Sequence, residues 1–168
     1  MEFRPALVSD CNSLSALSIE VWVGTYLRDG VGDVFADYVL NAFTPEHFRT
    51  VICDPDHALI VASLPGGPVG FVQISTNKPC PVAGGPAVEL AHLYVQPRHA
   101  RKGIGRALLE RAMQHEMTRA AGGVWLIANV ENTKAQSFYG AHEFLEIGAG
   151  GFEIDGVAYP QVIMARKL

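Results

Sequence analysis

The stretch Val95-Gln96-Pro97-Arg98-His99-Ala100-Arg101-Lys102-Gly103-Ile104-Gly105-Arg106-Ala107 decides how the rest of the chain is read. Before it lies a strand-like run, Val88 to Val95, which Pro97 ends. After it Leu108, Leu109, Ala112, Met113, Met117 and Ala120 form one apolar stripe at helical spacing. The stretch is thus the turn from a strand into a long helix. Two glycines in a first helical turn cost about 1 kcal/mol each against alanine unless the backbone needs them. Arg101, Lys102 and Arg106 crowd the same helix start, where the macrodipole is already positive. An anion held there removes both anomalies, because exposed N–H groups and basic side chains at a helix start cradle phosphate or pyrophosphate. A glycine-rich turn with a solvated basic face explains neither the paired glycines nor the charge. A Walker P-loop is excluded, since no Gly-Lys-Ser/Thr follows. A Rossmann fingerprint fails too: Gly103-Ile104-Gly105 lacks a correctly spaced third glycine and lies late in the chain.

On either side of this turn the periodicity predicts alternating elements. Phe3 to Val8 reads as a strand, with Asp10 as the cap of a helix over Cys11 to Tyr26. Val34 to Leu40 is a second helix, and Thr44-Pro45 opens a third. Ala58 to Ala62 and Val69 to Ser75 read as strands joined by the turn Pro65-Gly66-Gly67-Pro68. Asn77 to Pro86 is a loop and Val88 to Val95 the fourth strand. Gly122-Gly123 stops the long helix, and Val124 to Ala128 is a fifth strand. A short helix, Thr133 to Tyr139, and strands near Phe144 to Ile147 and Val157 to Lys167 follow. The order implies one α/β domain over residues 1–168 with a mixed central sheet of about seven strands flanked by helices. Strands four and five, joined through the long helix, should be parallel.

The chain has 168 residues, and hydrophobic residues make up 49% of it, enough for a substantial core. Its formal net charge of −4 argues against a general nucleic-acid binder. Cys11, Cys53 and Cys80 are far apart and form neither a disulfide framework nor a zinc spacing, so no metal is expected. The start Met1-Glu2-Phe3-Arg4-Pro5 reads as no signal peptide, and no apolar run reaches the ~20 residues needed to span a bilayer. A cytoplasmic protein without a membrane partner is the expectation.

Glu89-Leu90-Ala91-His92-Leu93-Tyr94-Val95-Gln96-Pro97, followed by Arg101-Lys102-Gly103-Ile104-Gly105-Arg106-Ala107-Leu108-Leu109, resembles the acetyl-CoA-binding motif of the GNAT (Gcn5-related N-acetyltransferase) family. Asn132-Thr133-Lys134-Ala135-Gln136-Ser137-Phe138-Tyr139 is similar to that family's Asn-x-x-Ala-x-x-Phe-Tyr segment, at the expected distance downstream. Two positions depart from the pattern. Ala100 stands where the family usually has Gln or Arg, and Glu143 stands where a Gly commonly precedes the Phe.

The resemblance implies a GNAT-like fold with strands four and five splayed apart, and acetyl-CoA as co-substrate lying between them. Leu93, Tyr94 and Val95 would meet the pantetheine arm, which bonds strand four as an added strand would. The N–H groups of Arg101, Lys102, Gly103, Ile104, Gly105 and Arg106, with Ala107 behind them, would meet the pyrophosphate, and Asn132 and Ala135 would line the other side. Tyr139 occupies the position of the family's general acid, although a core aromatic would also end this short helix. Transfer to an amine also needs a base, because an amine of lysine-like pKa ~10.4 is mostly protonated at pH 7. Glu89, His92 further along the strand, and water are the open choices. Trp22, Tyr26 and Asp29 fall where the family shapes its acceptor pocket, and core packing explains the two aromatics as well. The implied partner is a small-molecule or peptide amine, and a homodimer through the C-terminal strands is compatible with the family pattern. A non-catalytic acyl-CoA-binding module, or an acyltransferase with another acyl-CoA or acceptor, is the competing class.

Overall fold

A computed structural model describes residues 1–27, 30–154 and 157–168. Seven strands form a mixed sheet of order β1-β2-β3-β4-β5-β7-β6: β1 Glu2–Pro5, β2 His57–Leu64, β3 Gly67–Ser75, β4 Val88–Val95, β5 Gly123–Asn129, β6 Leu145–Ile154 and β7 Val157–Lys167. Six helices accompany them: α1 Cys11–Tyr26, α2 Asp33–Ala42, α3 Pro45–Cys53, α4 Ile104–Gln114, α5 Glu116–Ala121 and α6 Thr133–Gly140. Strands β4 and β5 are parallel, in register at Val88↔Val124 and Glu89↔Trp125, as their helical crossover requires. The α/β class, the seven strands and the bounds of α1, β4 and β7 agree with the sequence reading.

The described residues group into two compact units. The first comprises Met1–Ile74 and His92–Ala112. Here β1 pairs antiparallel with β2, and Leu14, Phe48, Val61 and Phe71 are the heart of an apolar core. Thr44 caps α3 by accepting the His47 N–H at 3.1 Å, with Pro45 in the first turn, so that start is as the sequence predicts. Asp10 does otherwise. Its carboxylate takes two hydrogen bonds from Arg4, at 2.7 and 3.0 Å, and one from the Leu7 N–H at 2.8 Å. With both oxygens engaged upstream it makes no side-chain cap on α1, and β1 ends at Pro5 in favour of a 3-10 turn at Val8–Asp10.

The second unit comprises Ser75–Ala91 and Met113–Leu168. Strand β7 pairs antiparallel with β5 on one side and β6 on the other, and Trp125 is fully buried against Ile163 and Ala165. The predicted long helix is two. His115 takes extended dihedrals (φ −63°, ψ 145°), and its ring nitrogen accepts the Met117 N–H at 3.3 Å, so it ends α4 and caps α5. A stripe of apolar residues does not report such a break, because both pieces keep it.

Candidate active site

The segment His92–Ala112, from the second half of β4 into α4, lies within the first unit. Side chains on a strand alternate between faces, so His92 and Tyr94 share one face and Leu93 and Val95 the other. The first pair packs into an aromatic cluster: the Tyr94 ring centroid is 5.5 Å from Phe71, 6.1 Å from Phe43 and 5.2 Å from His92. Tyr94 is therefore a half-buried side chain packed on that face. On the neighbouring strand β3 the residue facing this point is Gly70. A Cβ there would come within 2.8 Å of the Tyr94 carbonyl oxygen, closer than real Cβ atoms come, and within a tight 3.2 Å of Val95 Cγ2. Gly70 thus lets β3 lie flush against the C-terminal half of β4, a role the sequence reading missed.

After β4 a 3-10 turn, Pro97–His99, leads to a backbone that turns left-handed twice. Arg101 has φ 59° and Gly103 φ 81°. Gly103 meets no atom within 4 Å of where a Cβ would stand, so its glycine answers to dihedral angle and not to crowding. The first intrahelical bond of α4 runs from the Ala107 N–H to the Gly103 carbonyl at 3.0 Å. The N–H groups of Ile104, Gly105 and Arg106 precede it and have no partner inside the helix. Ile104 is itself buried, so it offers its main chain alone, whereas Arg101, Lys102 and Arg106 are exposed. Arg106 does not reach back over the helix start: its Nε meets Glu110 Oε1 at 2.8 Å, one turn onward. That pair accounts for one of the three misplaced cations.

The His92 ring lies among Phe43, Phe71 and Tyr94, with centroids 5.8, 6.3 and 5.2 Å away, and its Nδ1 is 3.1 Å from Gln73 Oε1. Burial, with a smaller push from the charge of His47, lowers its pKa to about 4. It is a neutral imidazole at pH 7.

Glu89, Asn132, Ala135 and Tyr139 lie in the second unit. Glu89 is half-buried at the opening of β4, and its Oε1 is 3.4 Å from Lys78 Nζ. Lys78 lies over the Trp125 ring, 5.6 Å from its centroid. Asn132 and Ala135 meet each other: the Asn132 side chain caps α6 by accepting the Ala135 N–H at 3.1 Å. Tyr139, near the end of α6, is buried, with Phe138 and Phe144 ring centroids 5.3 and 5.4 Å away. Its carbonyl closes the following turn by accepting the N–H groups of His142 and Phe144. Glu143 in that turn has φ 66° and is tied by a 2.7 Å ion pair to Arg166. The left-handed angle is why a glycine suits this position; a Glu there carries a steric cost of about 1–2 kcal/mol.

In the first unit Trp22 is buried, with Tyr26, Phe35 and Tyr38 centroids 5.0, 5.9 and 5.4 Å away, so it is a core residue with an aromatic fringe. Asp29, considered for the acceptor pocket, lies outside the described residues. Among the described residues no group of His, Cys, Asp or Glu is arranged to hold a metal ion, and no helix is long and apolar enough to cross a membrane.

The model of the acetyltransferase (GNAT) family matches residues 25–144, most of the chain. The chain belongs to the GNAT family. Among curated proteins, this GNAT chain is 26% identical over 151 residues to an uncharacterized N-acetyltransferase of Archaeoglobus fulgidus, covering 90% of this chain and 97% of that one. It is 27% identical over 133 residues to one of Mycobacterium tuberculosis, covering 79% and 81%. Among solved structures it resembles the PaiA N-acetyltransferase of Thermoplasma acidophilum in complex with coenzyme A. The TM-score is 0.79 at 21% identity, over 99% of this chain and 98% of that one, a likeness of fold. The chain is accordingly an acyltransferase of the GNAT N-acetyltransferase type.

Proposed function

We propose that this GNAT enzyme moves the acetyl group of acetyl-CoA directly to a primary amine, with Glu89 or water as the base and Tyr139 as the acid. The observation that carries the reading is the start of α4. A left-handed Arg101 and Gly103 lead into three helix N–H groups without an intrahelical partner, beside two exposed cations, Arg101 and Lys102. That donor set fits a pyrophosphate, and the coenzyme A bound to the Thermoplasma relative supports the choice of ligand.

In this reading the main chain of Leu93 and Val95 accepts the pantetheine arm as an added strand. Asn132 and Ala135 hold the second wall through the α6 cap. Direct transfer needs the amine nitrogen to reach the thioester carbonyl as a free base, and a proton to reach the departing sulfur. The thiol's pKa is near 8.5, so a hydroxyl that shares its proton with the developing thiolate lowers the barrier. Tyr139 supplies it. The Glu89 carboxylate beside Lys78 supplies negative charge where a cationic amine would lose its proton. The acceptor is a small-molecule or peptide amine.

Release of free thiol from acetyl-CoA in the presence of a panel of amines tests the reading. Tight binding of acetyl-CoA without thiol release from any amine would turn it into an acyl-CoA-binding module.

A further inference from the structure

We propose that Glu20, on α1, is a positioning residue for the cofactor cradle. By holding the Gln96 side chain it fixes the direction in which the chain leaves β4 on its way to the anion-binding start of α4. The proposal rests on the acetyl-CoA reading of that helix start and adds to it a side chain from a distant part of the sequence.

Three ties converge on Gln96, all within the first unit. Its N–H donates to the Val69 carbonyl at 2.9 Å, which holds it to β3 one residue past the end of β4. Its carbonyl accepts the His99 N–H at 2.8 Å and closes the 3-10 turn Pro97–His99. Its side-chain Nε2 donates to Oε2 of Glu20 at 2.7 Å, across 76 positions of sequence. The amide presents its NH2 group there, because an ionised carboxylate only accepts. A bond of this length to a carboxylate is charge-assisted and stronger than one between neutral partners.

The cradle needs such a tie. Beyond Gln96 the chain runs to Gly103, whose carbonyl takes the first helical bond of α4 from the Ala107 N–H at 3.0 Å. On the way Arg101 holds φ 59°, a left-handed angle that is costly for a residue with a side chain. The main-chain bonds in between, from His99 to Gln96 and from Ala100 to Pro97 at 3.2 Å, are local to the turn. Among the described residues, the bond to Glu20 is the one side-chain hydrogen bond that joins residues 96–103 to another element. A strained conformation persists only where its surroundings over-determine it, and Gln96 is where that constraint enters.

Charge and geometry make opposite demands on Glu20. A carboxylate beside the segment that leads into an anion site repels the anion, so on charge alone its removal would tighten acetyl-CoA binding. As a positioning residue it acts the other way: its removal loosens the turn, and binding weakens although a negative charge is gone. The sign of the change therefore identifies the role. The effect belongs to cofactor binding and not to acetyl transfer, because Glu20 acts on the turn ahead of the N–H groups assigned to the pyrophosphate.

The test reads binding, kinetics and the ligand-free protein. Glu20→Ala should raise the acetyl-CoA Kd, by calorimetric titration, and its KM by about three- to tenfold, with kcat within about twofold of wild type. Glu20→Gln keeps an acceptor oxygen and should restore most of the affinity. Gln96→Ala should match Glu20→Ala, and the double variant should bind no more weakly than either single one, since both remove the same contact. Without ligand, amide hydrogen exchange at His99 and Ala100, which close the turn, should speed up in both single variants and stay at the wild-type rate inside α4. Tighter binding in Glu20→Ala, additive losses in the double variant, or unchanged exchange at His99 and Ala100 overturns the proposal. Should Glu20→Ala fold poorly, Gln96→Ala leaves α1 intact, and unchanged affinity and exchange in that variant overturn it equally. If wild type does not bind acetyl-CoA, the cofactor reading itself fails. If wild type binds and Glu20→Ala binds as tightly, that reading stands and this proposal falls.

Discussion

Arg106 Nε lies 2.8 Å from Oε1 of Glu110, so the guanidinium at the start of α4 points along the helix and not across its end. Both side chains are largely exposed, and such an i,i+4 pair is worth only about 0.3–0.5 kcal/mol. On the proposed reading, an anion at this helix start is held by the main chain beside Arg101 and Lys102 and owes little to Arg106. Arg106→Ala should raise the acetyl-CoA KM by less than about threefold. Gly105→Val should raise it by more than about tenfold, or ~1.4 kcal/mol, by placing a branched side chain over the donors. Initial rates at varied acetyl-CoA, with circular dichroism as the folding control, check both. The reverse ranking would move the anion onto the arginine.

Tyr139 is buried between Phe138 and Phe144, and Tyr139→Phe removes a single oxygen from that setting. Packing and the acetyl-CoA dissociation constant should hardly change. General acid catalysis contributes about 10²–10⁴-fold, and a thiolate is already a fair leaving group, so the loss in kcat should be near 10²-fold. Single-turnover rates and equilibrium titration separate the two effects. Weakened binding at unchanged kcat would make the hydroxyl a cofactor ligand.

Acid should unfold the protein in two stages. His92 is held near pKa 4 in the fold by burial, below the ordinary ~6.5 of an unfolded histidine. The unfolded chain binds the extra proton, so stability is full above pH ~6.5 and falls by about 2–3 kcal/mol on the way to pH 4. Asp10 titrates below its ordinary value, chiefly through its hydrogen bonds from Arg4, so its contribution is present above pH ~4 and lost below it. Urea midpoints measured from pH 8 to 3 report both. His92→Gln should flatten the upper stage and leave the lower one.

The bidentate contact from Arg4 also fixes where the chain enters α1, since the same carboxylate holds the Leu7 N–H. Asp10→Asn keeps the shape and loses the charge. It should cost about 1–2 kcal/mol by urea titration at pH 7. A cost near zero would mean the turn is held by its main chain alone.

What the sequence made legible was whatever a local pattern dictates. Alternating and apolar runs fixed β4 and β7 to the residue, and Thr44-Pro45 announced α3. Its silences have physical causes. The His115 break leaves the apolar stripe intact, so periodicity passes over it. Asp10 had a good cap's chemistry, but Arg4 competes for the same oxygens six residues away. At the site, Gly103 and the helix start could be read from composition, because glycine and misplaced charge are both costly there. Gly70 could not, since its close approach to Tyr94 exists only once β3 and β4 lie side by side.

Acetyl transfer to an amine is tested most directly by the free thiol that the purified protein releases from acetyl-CoA across an amine panel. Amine-dependent thiol release is expected in step with the acetylated amine detected by mass, at a rate that falls about 10²-fold in Tyr139→Phe. Acetyl-CoA binding with no amine-dependent thiol, or thiol released without an acetylated product, would contradict it.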